Sequence, residues 1–257
     1  MSGQALAALL ALLTAGALLP ANAMAAEVPS GNLKDFLFGH RSEQTLAPGR
    51  YSPADGQSFV VDRPATSDLL LRFDETSEVL VLKPTNGPRG DVIYKDDTGQ
   101  PILRATRLGG LTLFTQSRPA GAPAAWSGES QPLKLPPLPS PNVLFQTLVQ
   151  ASLKASRAAQ HLVMFEAQEL RPQDVTPASG AVFADAAWTT AEAFARMAGR
   201  GPQGRLLAAR FAKVQFIPGR EPSAHVTGTV IQITVSPERG FAGRPSSARI
   251  VAVLSRK

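Results

Sequence analysis

Four arginines are the residues of this sequence best suited to bind something. Arg239 and Arg244 lie in Pro237-Glu238-Arg239-Gly240-Phe241-Ala242-Gly243-Arg244-Pro245-Ser246-Ser247, a loop with two glycines, two arginines and two serines between two expected strands. Arg220 precedes it and Arg249 follows it. A guanidinium presents a planar fork of donors that meets a phosphate or carboxylate with two hydrogen bonds. The four form the candidate binding set. The competing reading is a strand connection whose arginines pair with nearby glutamates.

Catalytic material is thin. Asp97-Thr98-Gly99 matches the aspartic-peptidase triplet, in which two carboxylates share a proton and activate water. No second Asp-Thr-Gly or Asp-Ser-Gly exists, so a peptidase would need a dimer. A hairpin turn explains all three residues. His40, His161 and His225 are far apart, and the chain has no cysteine, so the spacing names no metal site, disulfide or thiol nucleophile. Asp91, Asp96 and Asp97 cluster near one hairpin without the oxygen spacing of a calcium loop. There is no Gly-x-Ser-x-Gly elbow, and Gly199-Arg200-Gly201 follows a helix rather than a strand. The sequence names no catalytic residue and no cofactor.

Charge separates the two ends of the chain. From Arg196 to Lys257 there are eleven Lys or Arg against Glu221 and Glu238, a net +9, while the rest is −3. A basic third on an acid-leaning body suits a polyanion, here an anionic envelope glycan or lipid headgroup. The bland alternative is the arginine, alanine and proline bias of a GC-rich genome. With two tryptophans and two tyrosines for stacking, and with export, nucleic acid is disfavoured.

The elements that must position these residues follow in order. Residues 1–25 read as a secretory signal peptide: Ala5 to Leu19 is apolar, Pro20 breaks the run, and small-residue cleavage sites end at Ala23 or Ala25. The run is shorter than the roughly 20 residues of a membrane span, so none is expected after cleavage. The n-region Met1-Ser2-Gly3-Gln4 departs from the pattern in lacking Lys or Arg. The location implied is periplasmic or secreted. Residues 26–116 read as a β region, with a short helical turn near Leu33 to Phe38 and then strands Ser58–Asp62, Asp68–Phe73, Glu78–Leu82, Val92–Lys95, Ile102–Leu108 and Leu111–Thr115. Turns at Asp97-Thr98-Gly99-Gln100 and Gly109-Gly110 make this a meander. Residues 117–141 read as a Pro-rich extended connector with no regular element.

Residues 142–257 read as an α+β region. Helices are expected over Asn142–Glu166, Phe183–Met197 and Gln203–Phe211, and strands over Lys213–Ile217, His225–Val235 and Arg249–Leu254. The fold class is therefore α+β: an antiparallel β-meander, then two or three helices, then a smaller C-terminal antiparallel sheet. The two sheet regions are compatible with one compact domain.

The hairpin at Gly90–Thr115, the Pro-rich stretch, the alanine-rich helix and Gly240-x-x-Gly243-Arg244-Pro245-Ser246-Ser247 together resemble an uncharacterised, domain-of-unknown-function family of exported Gram-negative bacterial proteins. That resemblance implies export and a single domain, and carries no mechanism. The functional expectation is a non-enzymatic envelope protein that binds an anionic component through its basic third. The alternatives are a hydrolase of an envelope substrate with unidentified carboxylates, and a module that adds a partner's strand to a sheet edge. The sequence leaves the oligomeric state open.

Overall fold

Alternating apolar residues between short turns build eight antiparallel strands: β1 (Gly49–Pro53), β2 (Phe59–Asp62), β3 (Leu69–Phe73), β4 (Leu80–Asn86), β5 (Val92–Lys95), β6 (Pro101–Ala105), β7 (Leu111–Thr115) and β8 (Arg118–Gly128). The computed structural model describes residues 46–256 apart from Asp55 and Ala65. The signal peptide, the turn near Leu33 to Phe38, and His40 lie outside the described residues. Each strand pairs with the next, and β8 returns to β1 through Tyr51↔Trp126 and Ser52↔Ala125, closing a barrel. Phe59, Val61, Leu69, Leu71, Leu82 and Leu103 are fully buried inside it. Eight strands enclose just enough space for side chains to fill. Tyr51 stacks on Phe59 at 5.7 Å between ring centroids.

The outer face is not uniformly wet. Val60, Leu70 and Val79 are buried under Leu133, with Phe241 against them. That is why Leu69, Leu70 and Leu71 are all apolar, where alternation alone predicts one solvated face.

The Pro-rich stretch behaves differently from expectation. Its first half is β8, the longest of the described strands and the one that closes the barrel. The β7–β8 register shifts between Leu113 and Thr115, so Pro119, Ala120 and Gly121 form a bulge. Gly121 takes a left-handed φ of 86° there, and a Cβ on it would lie 2.5 Å from Thr112. A proline in a bulge forfeits no ladder bond. Residues 129–140 are irregular and run over the barrel, where the Leu133 N–H donates to Asp62 at 2.7 Å.

The C-terminal lobe contains α1 (Pro141–Ala159), β9 (Met164–Glu166), α2 (Pro177–Ala198), α3 (Pro202–Ala208), β10 (Lys213–Pro218), β11 (Ser223–Thr227), β12 (Val230–Val235) and α4 (Ser247–Leu254). On α1 the stripe Leu144, Leu148, Ala151, Ala155 and Ala159 is buried, and Gln160 ends the helix in the left-handed region. The central helix is α2. A Thr176–Ser179 capping box starts it, and its Phe183, Ala187, Ala191 and Phe194 are fully buried. Phe194 meets Phe211 edge-on at 6.5 Å.

The α+β class holds, with a barrel, then helices, then a smaller sheet. The small sheet is mixed, in the order β11-β12-β10-β9: β10 runs parallel to both β12 and β9, and only β11–β12 is antiparallel. Two sequence expectations change here. The single strand His225–Val235 is a hairpin, because Gly228 turns the chain with a φ of 62°. The strand Arg249–Leu254 is helix α4, capped by the Ser246 side chain accepting from the Arg249 N–H. Its Ile250 and Leu254 meet the core at helical spacing. The described residues all belong to one compact unit. Among them no helix is long and apolar enough to cross a membrane.

Candidate functional site

An up-and-down barrel puts alternate turns at opposite ends. The β3–β4 and β5–β6 turns share one end, and they carry Glu78 and Asp97 to the C-terminal lobe. Both carboxylates land on the N-terminus of α4. Asp97 accepts from the Ser246 N–H at 2.8 Å and its hydroxyl at 2.5 Å. Glu78 accepts from the Ser247 N–H at 2.8 Å and its hydroxyl at 2.5 Å. A helix N-terminus carries unpaired N–H groups and a partial positive charge, so two anions are well placed there.

Arg244 sits behind this junction, its side chain 2% exposed. Its Nε donates to Asp185 of α2 at 2.5 Å and its Nη2 to the Val79 carbonyl at 3.1 Å, and Nη1 stands 3.9 Å from Glu78. Arg196 donates to the Ser247 hydroxyl at 2.5 Å. The loop that drew attention in the sequence is thus an internal clamp between barrel and lobe. Gly243 allows it: a Cβ there would lie 2.0 Å from the Ser236 carbonyl.

The Asp-Thr-Gly triplet is spent on structure. Asp96 Oδ1 accepts from the Thr98 N–H, the Thr98 hydroxyl and the Gln100 N–H at 2.7–2.9 Å, and Gly99 turns with a φ of 85°. Asp97 is held by Ser246. Asp91, 6% exposed, pairs with Arg104 at 2.5 Å. The three aspartates therefore have separate partners, and among the described residues no three His, Asp or Glu converge. His225 is exposed on β11 and His161 follows α1.

Beside the clamp lies an open cleft of about 440 Å³, lined by Lys83, Thr85, Lys95, Asp96 and Asp97 of the barrel and by Glu221, Arg239 and Arg249 of the lobe, among others; Asp96 and Asp97 are already held by turn and helix donors. Lys83 and Lys95 are directly opposite each other across β4 and β5. They point outward, since Leu82 and Tyr94 beside them fill the barrel. Neither lysine has a carboxylate partner among the described residues. Like charges directly opposite cost a few tenths of a kcal/mol, up to about 1. Arg249 donates to the Asp97 carbonyl at 2.8 Å, an interaction that leaves its charge uncompensated. Arg239 is tied to Glu221 at 3.2 Å, and both are well exposed.

Of the four arginines expected to bind, the cleft gathers Arg239 and Arg249 at its surface. Arg244 lines it but is buried, with its Nε and Nη2 engaged by Asp185 and the Val79 carbonyl. Arg220 is exposed and is not part of the lining.

Kinship is decided by length of match. Residues 32–254 fit the family model described as a domain of unknown function (DUF4908). The chain belongs to the DUF4908 family. No curated protein and no solved structure matched. The matched span runs from before the barrel through α4, so the DUF4908 unit contains both the cleft and the clamp.

Sequence reasoning missed Lys83 and Lys95. The expected third strand ended at Leu82, one residue before Lys83 and four short of the observed end at Asn86. A signal was there: both lysines stand at mirror positions about the 87–91 turn, which sets the register once β4 is drawn to Asn86.

Proposed function

We propose that this DUF4908 member is an exported, non-enzymatic envelope protein that holds an anionic group in the cleft between its barrel and its C-terminal lobe. The reading rests on one observation above all. Lys83 and Lys95 oppose each other on the cleft wall, with Arg249 among the lining residues and no carboxylate paired to any of the three among the described residues. An anion bridging them would remove the mutual repulsion and gain charge-assisted hydrogen bonds. Export, to a periplasm or beyond, is supported by the apolar run Ala5–Leu19 and the small-residue sites after it. A Gram-negative source rests on the resemblance alone. The ligand classes that fit are an anionic envelope glycan or a lipid headgroup.

The alternatives have less support. A hydrolase needs free carboxylates, whereas Glu78, Asp97 and Asp185 are all engaged by donors of the clamp. Strand addition needs an edge. Barrel closure leaves only β9 and β11 as sheet edges among the described residues, of three and five residues.

The test is co-sedimentation with phosphatidylglycerol vesicles and with peptidoglycan sacculi across a salt series. Binding should fall steeply as salt rises. The double change Lys83→Gln with Lys95→Gln should weaken it about thirtyfold, at roughly 1 kcal/mol per basic residue near an anionic surface. Lys154→Gln, on α1 and paired with Glu192, should leave it unchanged. Binding to neither target, or binding indifferent to salt and to the lysine changes, overturns the proposal.

A further inference from the structure

The opposite end of the barrel holds a second cavity, separate from the cleft. There the approach to β1, the 87–91 turn, the 106–110 turn and the end of β8 come together. The cavity measures about 420 Å³, and its lining includes Leu46, Tyr51, Ala105, Leu111, Ala124 and Trp126. Barrel mouths of this size and apolar character are frequent small-molecule sites.

The two hydroxyls of the wall, on Tyr51 and Thr106, each have a partner. The Tyr51 hydroxyl donates to the Ala47 carbonyl at 2.8 Å. Burial, with Tyr94 adding to it, raises its pKa above the ordinary phenol value, so it stays neutral. The Thr106 hydroxyl accepts from the Gly110 N–H at 3.0 Å, and the Thr106 and Gly109 N–H groups are bonded within the same turn. Such a wall rewards an apolar guest and gives a polar one little to bond.

The rim has a different character. Leu108, at the tip of the 106–110 turn, is 98% exposed, and Trp126 is 54% exposed. Arg107 precedes Leu108, and its side chain runs beside Gly90, next to Arg89. Arg89 has no acidic partner among the described residues. Neither arginine lines the cavity, but the 87–91 and 106–110 turns carry both to the same end of the barrel, and an apolar hole beside two basic turns matches a molecule that is hydrocarbon at one end and anionic at the other.

We propose that the barrel mouth takes the hydrocarbon tail of a fatty acid, leaving the carboxylate at the rim beside Arg89 and Arg107. The site is independent of the cleft.

The experiment titrates the purified protein with 11-(dansylamino)undecanoic acid, reading dansyl emission and energy transfer from tryptophan. Saturable one-to-one binding is expected, with displacement by decanoate. Decanol should also displace the probe, up to about fivefold less well, the share left to an exposed charge. Ala105→Phe, which fills the hole, should abolish binding. Trp126→Ala, at the half-exposed rim, should weaken it while leaving far-ultraviolet circular dichroism unchanged, which keeps the test valid should the first variant not fold. Lys83→Gln should have no effect. The proposal fails if the probe does not saturate, if folded Trp126→Ala binds like the parent, or if decyltrimethylammonium displaces as well as decanoate. It fails equally if binding is lost as the protein dimerises with concentration, which would give the mouth to a second copy.

Discussion

Replacing Arg244 by Met should destabilise the protein by about 3–5 kcal/mol, the range for removing one partner of a buried ion pair. The side chains of Asp185 and Glu78 are 15% and 9% exposed, so solvent can compensate little of the charge left behind. The Val79 carbonyl loses its donor as well. A single cooperative transition over this length should shift its thermal midpoint downward by roughly 6–20 °C. Arg244→Lys should recover only part of the loss, since an ammonium cannot reproduce the Nε and Nη2 bonds that reach two elements at once. Urea denaturation measures the change. A loss below about 1 kcal/mol would mean that the clamp is not what couples barrel to lobe. The companion variant Arg244→Met with Asp185→Leu should regain much of the stability, because it removes the stranded carboxylate rather than the pair's geometry.

Glu78→Ala comes next in size, at about 3 kcal/mol. The carboxylate accepts two hydrogen bonds from Ser247 and faces both Arg244 and Arg196 at 3.9 Å. Its loss orphans a buried N–H at the start of α4 and strips Arg244 of one of two neighbouring anions. Asp97→Asn should cost less, about 1–2 kcal/mol, because the amide oxygen keeps one of the two hydrogen bonds from Ser246, while the other acceptor becomes an NH2 and the charge at the helix terminus is lost. Combining Glu78→Ala with Arg244→Met should cost clearly less than the two singles together, since they break one network. Additive costs would show that the two side chains act separately. Urea midpoints of the four proteins settle this.

Much of the barrel was legible because its signals are local. Val92–Lys95 and Leu111–Thr115 fall where β-branched and aromatic runs end at turn residues. Closure was not legible. Nothing short-range says that Trp126 will lie opposite Tyr51, and proline density argued against any strand at 118–128, where the bulge accommodates Pro119 and Pro123 sits in register opposite Thr112. At the other end, Arg249 to Leu254 has the β-branched composition of a strand, and the Ser246 cap with Ile250 and Leu254 four apart was the stronger signal. The site divides in the same way. The 237–247 loop stood out by composition, but its burial depends on Glu78, Val79 and Asp185, which only the fold brings near. Lys83 and Lys95 are ordinary surface lysines until register sets them face to face.

Closing the barrel with its first and last strands has a kinetic side. Ser52 and Ser127 are 75 residues apart, whereas every other pairing in the barrel joins strands that are consecutive in the chain. Neighbouring hairpins can form in microseconds, but the seam must wait until the chain between has been ordered. During that interval β1 and β8 both present unpaired backbone, the kind of surface on which nascent chains pair with each other. The folded molecule has no seam to defend. The folding one does, and the part of it that β8 contributes, residues 124–128, is short and carries a register shift of its own opposite Arg50 and Tyr51.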